Sequence, residues 1–431
     1  MKKHVLRAIR ADNPWLTGED PGSWMSRFLP ARYISRKLRL QADGYICLVV
    51  GPRQAGKSTL IWHTLAGMKE PVLLLNCEEM AIREWLRSPA GFLADLRELN
   101  ILPGALLFEE IQWLPEAAFF LKGVADRRPP FAVYATGSSS FDLASKTRES
   151  LAGRARRHLL LPLSLAELKA VATGSSGAEQ PGRHQLLERT AVFGGYPQVV
   201  SATEPERELA GLVEALVVRD ASDRFRIRHL AAFRRLLELM ASQAGNLCNF
   251  SEWSSITGIS NETVAEYARL VEECHLVRLV RPFVGGKRAA FKSTPKVYFV
   301  DNGIRNLLFG GLAPLDQRGD RGLLIENLVF SELLKVINPL LDGLHFWRSK
   351  SGAEVDFVIN HHGRLLACEV KAGTVRQRLS RSARSFIDTY RPERFLVVHA
   401  GEPGDSSAGA TRIRFLDVFD LGQEVEDFLG C

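Results

Sequence analysis

The chain has 431 residues, 46% of them hydrophobic and 24% charged, the balance of an ordinary globular protein with room for about three domains at ~150 residues each. Its formal net charge of +7 is compatible with an anionic partner, whether nucleotide, nucleic acid or acidic protein, though an excess of this size is also common without such a meaning. Six cysteines, at 47, 77, 248, 274, 368 and 431, form no CxxC pair and no zinc spacing, and no apolar stretch reaches the ~18 residues of a bilayer span, so a zinc module and a membrane anchor are not expected.

Residues 1–40 read as a helical extension. Its basic start is followed by no apolar run, so no signal peptide is expected, and the location expected is cytoplasmic. From 41 to 165 short apolar runs alternate with amphipathic stretches, the α/β pattern of a parallel sheet wrapped by helices. Strands are predicted at 45–50, 72–75, 105–108, 131–135 and 158–161. A Gly/Ser/Pro-rich loop is expected over 171–183, within a largely helical segment, 166–245. Residues 246–315 begin with two short helices around Gly258 and become β-rich, and Val264, Tyr267, Ala268 and Val271 repeat at helical spacing as one buried stripe. Residues 316–431 combine a helix over 325–336 with strands near 344–347, 355–359, 365–370 and 395–399, and 401–410 reads as an exposed loop.

The sharpest motif closes the first strand. Gly51, Pro52, Arg53, Gln54, Ala55, Gly56, Lys57 and Ser58 fit GxxxxGK[ST] in full, and a helical stretch opening with Ser58 and Thr59 follows. Converging backbone amides and the helix N-terminus suit the phosphates of ATP, Lys57 suits the β- and γ-phosphates, and Ser58 suits Mg²⁺. Such a site needs an acid at the end of a neighbouring strand. Glu109 takes the metal-facing place and Glu110 that of the base, unless the pair only caps the next helix. Ser138 or Ser139, after the fourth strand, is either a γ-phosphate sensor or a helix cap. Arg154 lies where it would reach a neighbouring subunit's nucleotide as an arginine finger, or else makes a surface salt bridge.

Taken in order, GPRQAGKST, LLFEEIQWLP, ATGSSS, ESLAGR, LPLSLAEL and GGYPQVV resemble bacterial and archaeal AAA+-like ATP-binding proteins. KSTPKVYFVDNGI (292–304), IENLVFSEL (325–333), FWRSKSGAEVDFVI (346–359) and ACEVKAG (367–373) look like the C-terminal domain of unknown function that follows the ATPase in that family. The resemblance spans roughly residues 30–400. It implies a P-loop AAA+ core, a winged-helix-like segment and a restriction-endonuclease-like α/β module. Glu109 stands where most relatives carry Asp.

In the β-rich stretch between Cys274 and Val300 there is no acid, while Arg278, Arg281, Lys287, Arg288, Lys292 and Lys296 interleave with Phe283, Phe291 and Tyr298. That suits a wing on the DNA backbone, or a solvated hairpin with its aromatics turned inward. The helix before it carries Glu262, Glu266, Glu272 and Glu273 against Arg269, which disfavours major-groove reading. Asp356, with Glu369 and Lys371 about a dozen residues on, matches the spacing of PD-(D/E)XK nucleases, and Glu326 is similar to their additional metal-binding acid. Such a set takes Mg²⁺ or Mn²⁺. Arg376, Arg378, Arg381 and Arg384 form a basic face downstream, or are simply solvated.

Three functions stay open. The first is an ATPase acting on DNA with nuclease activity. The second is a homo-oligomeric motor, with a hexameric ring as one candidate, on branched DNA, of branch-migration or helicase type, whose nuclease fold does not cleave. The third is a nucleotide-gated signalling switch that binds proteins.

Overall fold

The computed structural model describes residues 3–68, 70–137, 151–174 (side chains to 171), 182–216, 227–284, 293–339, 341–374 and 376–430. It divides into two compact units: Met1–Leu161 with Glu273–His275, and Pro162–Glu272 with Leu276–Cys431.

The first unit is built on β1 (Ile46–Val50), β2 (Val72–Asn76), β3 (Ala105–Glu109), β4 (Ala132–Gly137) and β5 (Ala155–Leu159). They lie parallel in the order β2-β3-β4-β1-β5. Every residue of β1 is buried, as expected of a parallel strand covered on both faces. Its side chains alternate: Ile46, Leu48 and Val50 enter one core with Phe92, Phe108 and Phe120, while Cys47 and Val49 enter another with Leu60, Trp62 and Leu107. The N-terminal helix Lys3–Asp12 adds Val5 and Ile9 to the first core. Just beyond it, the Asn13 side chain donates to Leu74 O (2.8 Å) and accepts from Leu74 N (2.7 Å), and Trp15 Nε1 donates to Val72 O (3.0 Å). These bonds occupy the outer edge of β2 as a further strand would.

One strand departs from expectation. The sequence places the fifth at 158–161, and the structure places it at Ala155–Leu159, with Ala155 opposite Ile46. β5 is an edge strand of sequence ARRHL, half-exposed, so the apolar run after it marks the exit of the strand.

The second unit holds β6 (Val277–Pro282), β7 (Lys296–Phe299), β8 (Asp342–Arg348), β9 (Glu354–His361), β10 (Arg364–Val370), β11 (Arg394–Val398), β12 (Gly404–Ala408) and β13 (Thr411–Leu416), in the order β12-β13-β11-β10-β9-β8-β6-β7. β10, β11 and β13 run parallel. Half of the loop expected over 401–410 is instead β12, paired antiparallel with β13, and polar GDSSA is tolerated because the strand is an edge. The helix Leu165–Gly174 takes in residues 171–174 of the loop expected over 171–183. The helices Phe250–Thr257 and Asn261–Glu273 meet at Gly258, which adopts φ 73°, and the Ser260 hydroxyl accepts from Thr263 N at 3.2 Å. Val264, Tyr267, Ala268 and Val271 are buried, as their spacing predicts. β6 joins the C-terminal sheet through Arg281 opposite His345 and Pro282 opposite Phe346, so residues read separately as 246–315 and 316–431 share one sheet. Asp301 secures the unit from within: its carboxylate accepts from Gly195 N (2.7 Å), Gly303 N (2.9 Å) and Ile304 N (3.3 Å), tying the GGYP segment to VDNG. Among the described residues, no helix is long and apolar enough to cross a membrane.

Candidate functional site

Residues 51–56 leave the C-terminal end of β1, which lies between β4 and β5 although its chain neighbour is β2. Ligands of parallel sheets bind beyond the carboxyl ends of such strands. The loop needs its glycines: a Cβ on Gly51 would stand 2.1 Å from Leu160 O, and Gly56, which adopts φ 92°, turns the backbone into the helix Lys57–Leu65. Gln54 also has positive φ, 59°. The Lys57 ammonium is buried inside the loop, donating to Pro52 O at 2.9 Å and Gly51 O at 3.3 Å.

The acids converge on the same end of the sheet. Burial pushes the Glu109 carboxyl above its usual range, a hydrogen bond with Ser58 opposes the shift, and the Glu110 charge adds to it. Glu110 has φ 49°, a left-handed conformation that costs a non-glycine residue energy and is found where a side chain must be aimed. Its carboxylate is gripped by Gln112, and its N–H donates to Thr136 Oγ1 at 3.0 Å. The Glu110 side chain makes no capping hydrogen bond to the short helix after it. Ser138 lies outside the described residues, and the β4 residue that meets the acidic pair is Thr136, fully buried.

Arg36, from the segment expected to be a helical extension, donates to Ala55 O (3.2 Å) and Leu161 O (2.5 Å) and pins the loop from behind. No motif announces it. Arg154 sits at the start of the edge strand β5, opposite the start of β1 and one strand length, roughly 15 Å, from its own loop. Its guanidinium is paired with Asp126 on the surface, which holds that carboxyl below its usual range.

In the second unit, Cys368 pairs with Phe357 across β10 and β9, which sets Asp356 beside Glu369. Asp356 stands third in β9. Its carboxylate accepts from Val370 N at 2.7 Å, and burial, with the charge of Glu326 next in weight, raises it well above the usual range. Glu369 accepts from Ser380 Oγ (3.0 Å) and is paired with Lys371 (2.7 Å). Glu326 accepts from Tyr298 Oη at 2.6 Å and lies 3.9 Å from Lys296 Nζ, which is paired with Glu354.

Two residues of the expected DNA wing are therefore turned inward: Lys296 and Tyr298 are buried against carboxylates and are not open to phosphates. Gly285, Gly286, Lys287, Arg288, Phe291 and Lys292 lie outside the described residues. Among the described residues, no three His, Cys, Asp or Glu side chains gather as a ready-made metal cage, because each carboxylate is drawn to its own partner. Asp356 and Glu369 nonetheless supply the one or two carboxylates that Mg²⁺ usually takes beside water. The crowding of like charge around Asp356 is what a divalent cation would relieve.

Residues 43–169 match a family described as "AAA domain". The N-terminal module is AAA-like. Residues 184–315 and 321–415 match two families described as "Domain of unknown function", DUF8612 and DUF4143. An uncharacterized protein of Mycobacterium tuberculosis is 28% identical over 363 residues, covering 83% of this chain and 77% of its own. Another, of Haemophilus influenzae, is 25% identical over 332 residues, covering 72% and 80%. Among solved structures, AMPPCP-bound DnaA from Aquifex aeolicus overlaps 63% of this chain and 89% of its own, at 12% identity and a TM-score of 0.27. Cdc6p from Pyrobaculum aerophilum overlaps 70% and 97%, at 12% identity and 0.30.

In the AAA-like module the structure brings Lys57, Ser58, Glu109 and Glu110 to one end of the sheet and leaves Arg154 at the other. In the second unit it brings Glu326, Asp356, Glu369 and Lys371 within electrostatic reach of one another. To that group it adds Lys296, Tyr298 and Glu354, whose only sequence signal is the alternation of Lys296 and Tyr298 on one strand face.

Proposed function

We propose that the chain is an ATPase of the AAA+ type that couples ATP binding and hydrolysis to DNA processing. The observation that carries the ATPase half is a glycine-turned loop at the end of β1 that encloses the Lys57 ammonium. Backbone N–H groups between Gly51 and Thr59, except at Pro52, which has none, would hold the phosphates with Lys57, Ser58 and Glu109 would hold Mg²⁺, and Glu110 would take the proton of the attacking water. When bound, Mg²⁺ supplies charge neutralisation at the phosphate oxygens. Thr136 fixes the Glu110 backbone, and Ser138 is assigned the sensing of the γ-phosphate. Arg154 serves a neighbouring subunit in a homo-oligomer, releasing Asp126 when the subunits meet.

The DNA half rests on the carboxylate group of the second unit, read as a PD-(D/E)XK-like centre in residues 316–431, with 246–315 as a winged-helix-like segment. Ser380 links Glu369 to the helix Arg381–Tyr390, so exposed Arg376, Arg378, Arg381 and Arg384 flank the carboxylates and offer charge to a phosphate backbone. Asp356, Glu369 and Glu326 would hold Mg²⁺ or Mn²⁺, and Lys371 would orient the attacking water. Incubating plasmid and forked DNA with Mn²⁺ tests this: the wild type nicks or cuts and Asp356→Ala does not. Equal cleavage by both proteins, or none by either, removes the nuclease assignment.

Lys296 favours a second reading. Its ammonium already neutralises Glu354 and approaches Glu326, an arrangement that suits a centre which grips DNA without cutting it. ATP turnover stimulated by branched DNA, with no cleavage, would select that reading. Slow turnover indifferent to DNA would select the protein-binding switch.

A further inference from the structure

Between the helix Pro21–Ser26 and β1 the chain forms no regular element, yet it is not loose. Ile34 and Leu40 are buried, and the Tyr33 ring stacks on that of His63, in the helix that follows the GK[ST] loop, with centroids 3.8 Å apart. The segment thus lies along the loop and its helix. Arg36, at its centre, is 7% exposed. Its guanidinium spans two backbone carbonyls, Ala55 O at the end of the loop (3.2 Å) and Leu161 O beyond β5 (2.5 Å). The start of the loop rests on the same stretch, since Gly51 packs so closely on Leu160 O that a Cβ would not fit.

The bond to Ala55 O has a consequence for the other side of the same peptide. The Ala55–Gly56 peptide is planar and trans, so its C=O and N–H point in opposite directions. Holding Ala55 O toward Arg36 therefore holds Gly56 N–H away from it. Gly56 N donates to no atom of the described residues, and it stands at the entrance to the helix Lys57–Leu65, where anions are favoured. A cation on the carbonyl also polarises the peptide, which makes its N–H a stronger donor. Lys57 holds Gly51 O and Pro52 O in the same way. Three loop carbonyls thus face cations, and Gly56 N–H is left for an anion.

We propose that Arg36 is a positioning residue for the nucleotide: by holding Ala55 O it aims Gly56 N–H at a phosphate oxygen. This role rests on the reading of the loop as an ATP site. It assigns to a residue outside every motif the direction of one phosphate donor inside the motif.

The test compares full-length wild type, Arg36→Met and Arg36→Lys by calorimetric titration of Mg·ATP and by phosphate release at varied ATP. Arg36→Met keeps an apolar stem and loses both donors. Its Kd and KM should rise about tenfold, the weight of one charge-assisted hydrogen bond. Its kcat should change less than twofold, because that bond is made to bound ATP and to the transition state alike. Arg36→Lys keeps the charge without the two-armed fork and should fall between the two. A residue that merely fastens the segment would behave otherwise: the urea midpoint would drop while Kd and KM of the folded protein stayed at wild-type values. That result in Arg36→Met overturns the inference, as does a fall in kcat at unchanged KM. Should Arg36→Met not fold, Arg36→Lys decides alone, and Kd and KM equal to the wild type overturn it. In each of these cases ATP still binds the wild type and the ATP-site reading stands. A wild type that binds no ATP sinks both.

Discussion

At the scale of single residues, the account turns on charge placed where water is scarce. Lys57 is buried among carbonyls of its own loop, so its ammonium has little solvation to lose when phosphates arrive. Lys57→Ala should abolish measurable ATP hydrolysis and weaken nucleotide binding, as read by a coupled phosphate-release assay and by calorimetry. Glu110→Gln should do the opposite of a binding variant: nucleotide still binds while turnover falls by about 10²-fold or more, the usual weight of a general base. Unchanged turnover would remove Glu110 from the role of the base. His158 on β5 gives a pH signature. Burial, and then the charge of Arg156, hold its imidazole below the ordinary value near 6.5. A base whose folded value is depressed contributes stability above about pH 6.5 that is lost as pH falls, because only the unfolded chain takes the proton. Denaturant melts at stepped pH should therefore show a shallower acid-side loss in His158→Gln than in wild type. The GK[ST] loop and the Glu109–Glu110 pair are legible in sequence because phosphate chemistry fixes their spacing. Arg36 and Thr136 are not, because they act through backbone atoms of residues that only the fold brings near.

Among elements, most strands announce themselves and polar edge strands do not. The four inner or well-buried strands of the first sheet fall where apolar runs lie, whereas β5 and β12 are polar edge strands whose sequences resemble loops. β7 misleads in another way. Lys296 and Tyr298 look like a basic, aromatic wing, but alternation on a strand sends both to the carboxylate side, where their polar ends have partners. The N-terminal segment carries a comparable hidden role: Asn13 takes the place of a strand residue against β2. Asn13→Ala leaves a buried N–H and carbonyl of Leu74 unpaired and should cost about 2–4 kcal/mol. A urea midpoint equal to that of the wild type would mean the edge of β2 finds other partners.

Across the whole molecule, the proposed ATPase centre and the proposed nucleic-acid site lie in separate compact units. Arg154 lies a strand length from its own loop, so its proposed role requires a neighbour. Mixing Lys57→Ala with Arg154→Ala subunits should recover part of the ATPase activity that each lacks alone, since mixed pairs assemble one intact site. No recovery would leave Arg154 in its surface pair with Asp126. On the DNA side, replacing Arg381 and Arg384 by Ala should lower affinity for all sequences alike and reduce the slope of log K against log salt by about 2, one unit per lost phosphate contact. An unchanged slope would move the DNA surface elsewhere.

The most direct test of the central claim is calorimetric titration of Mg·ATP into wild type and Lys57→Ala. Saturable binding of one nucleotide per chain to the wild type, and loss of that binding in the variant, is the predicted result. Equal binding to both, or none to the wild type, would contradict it.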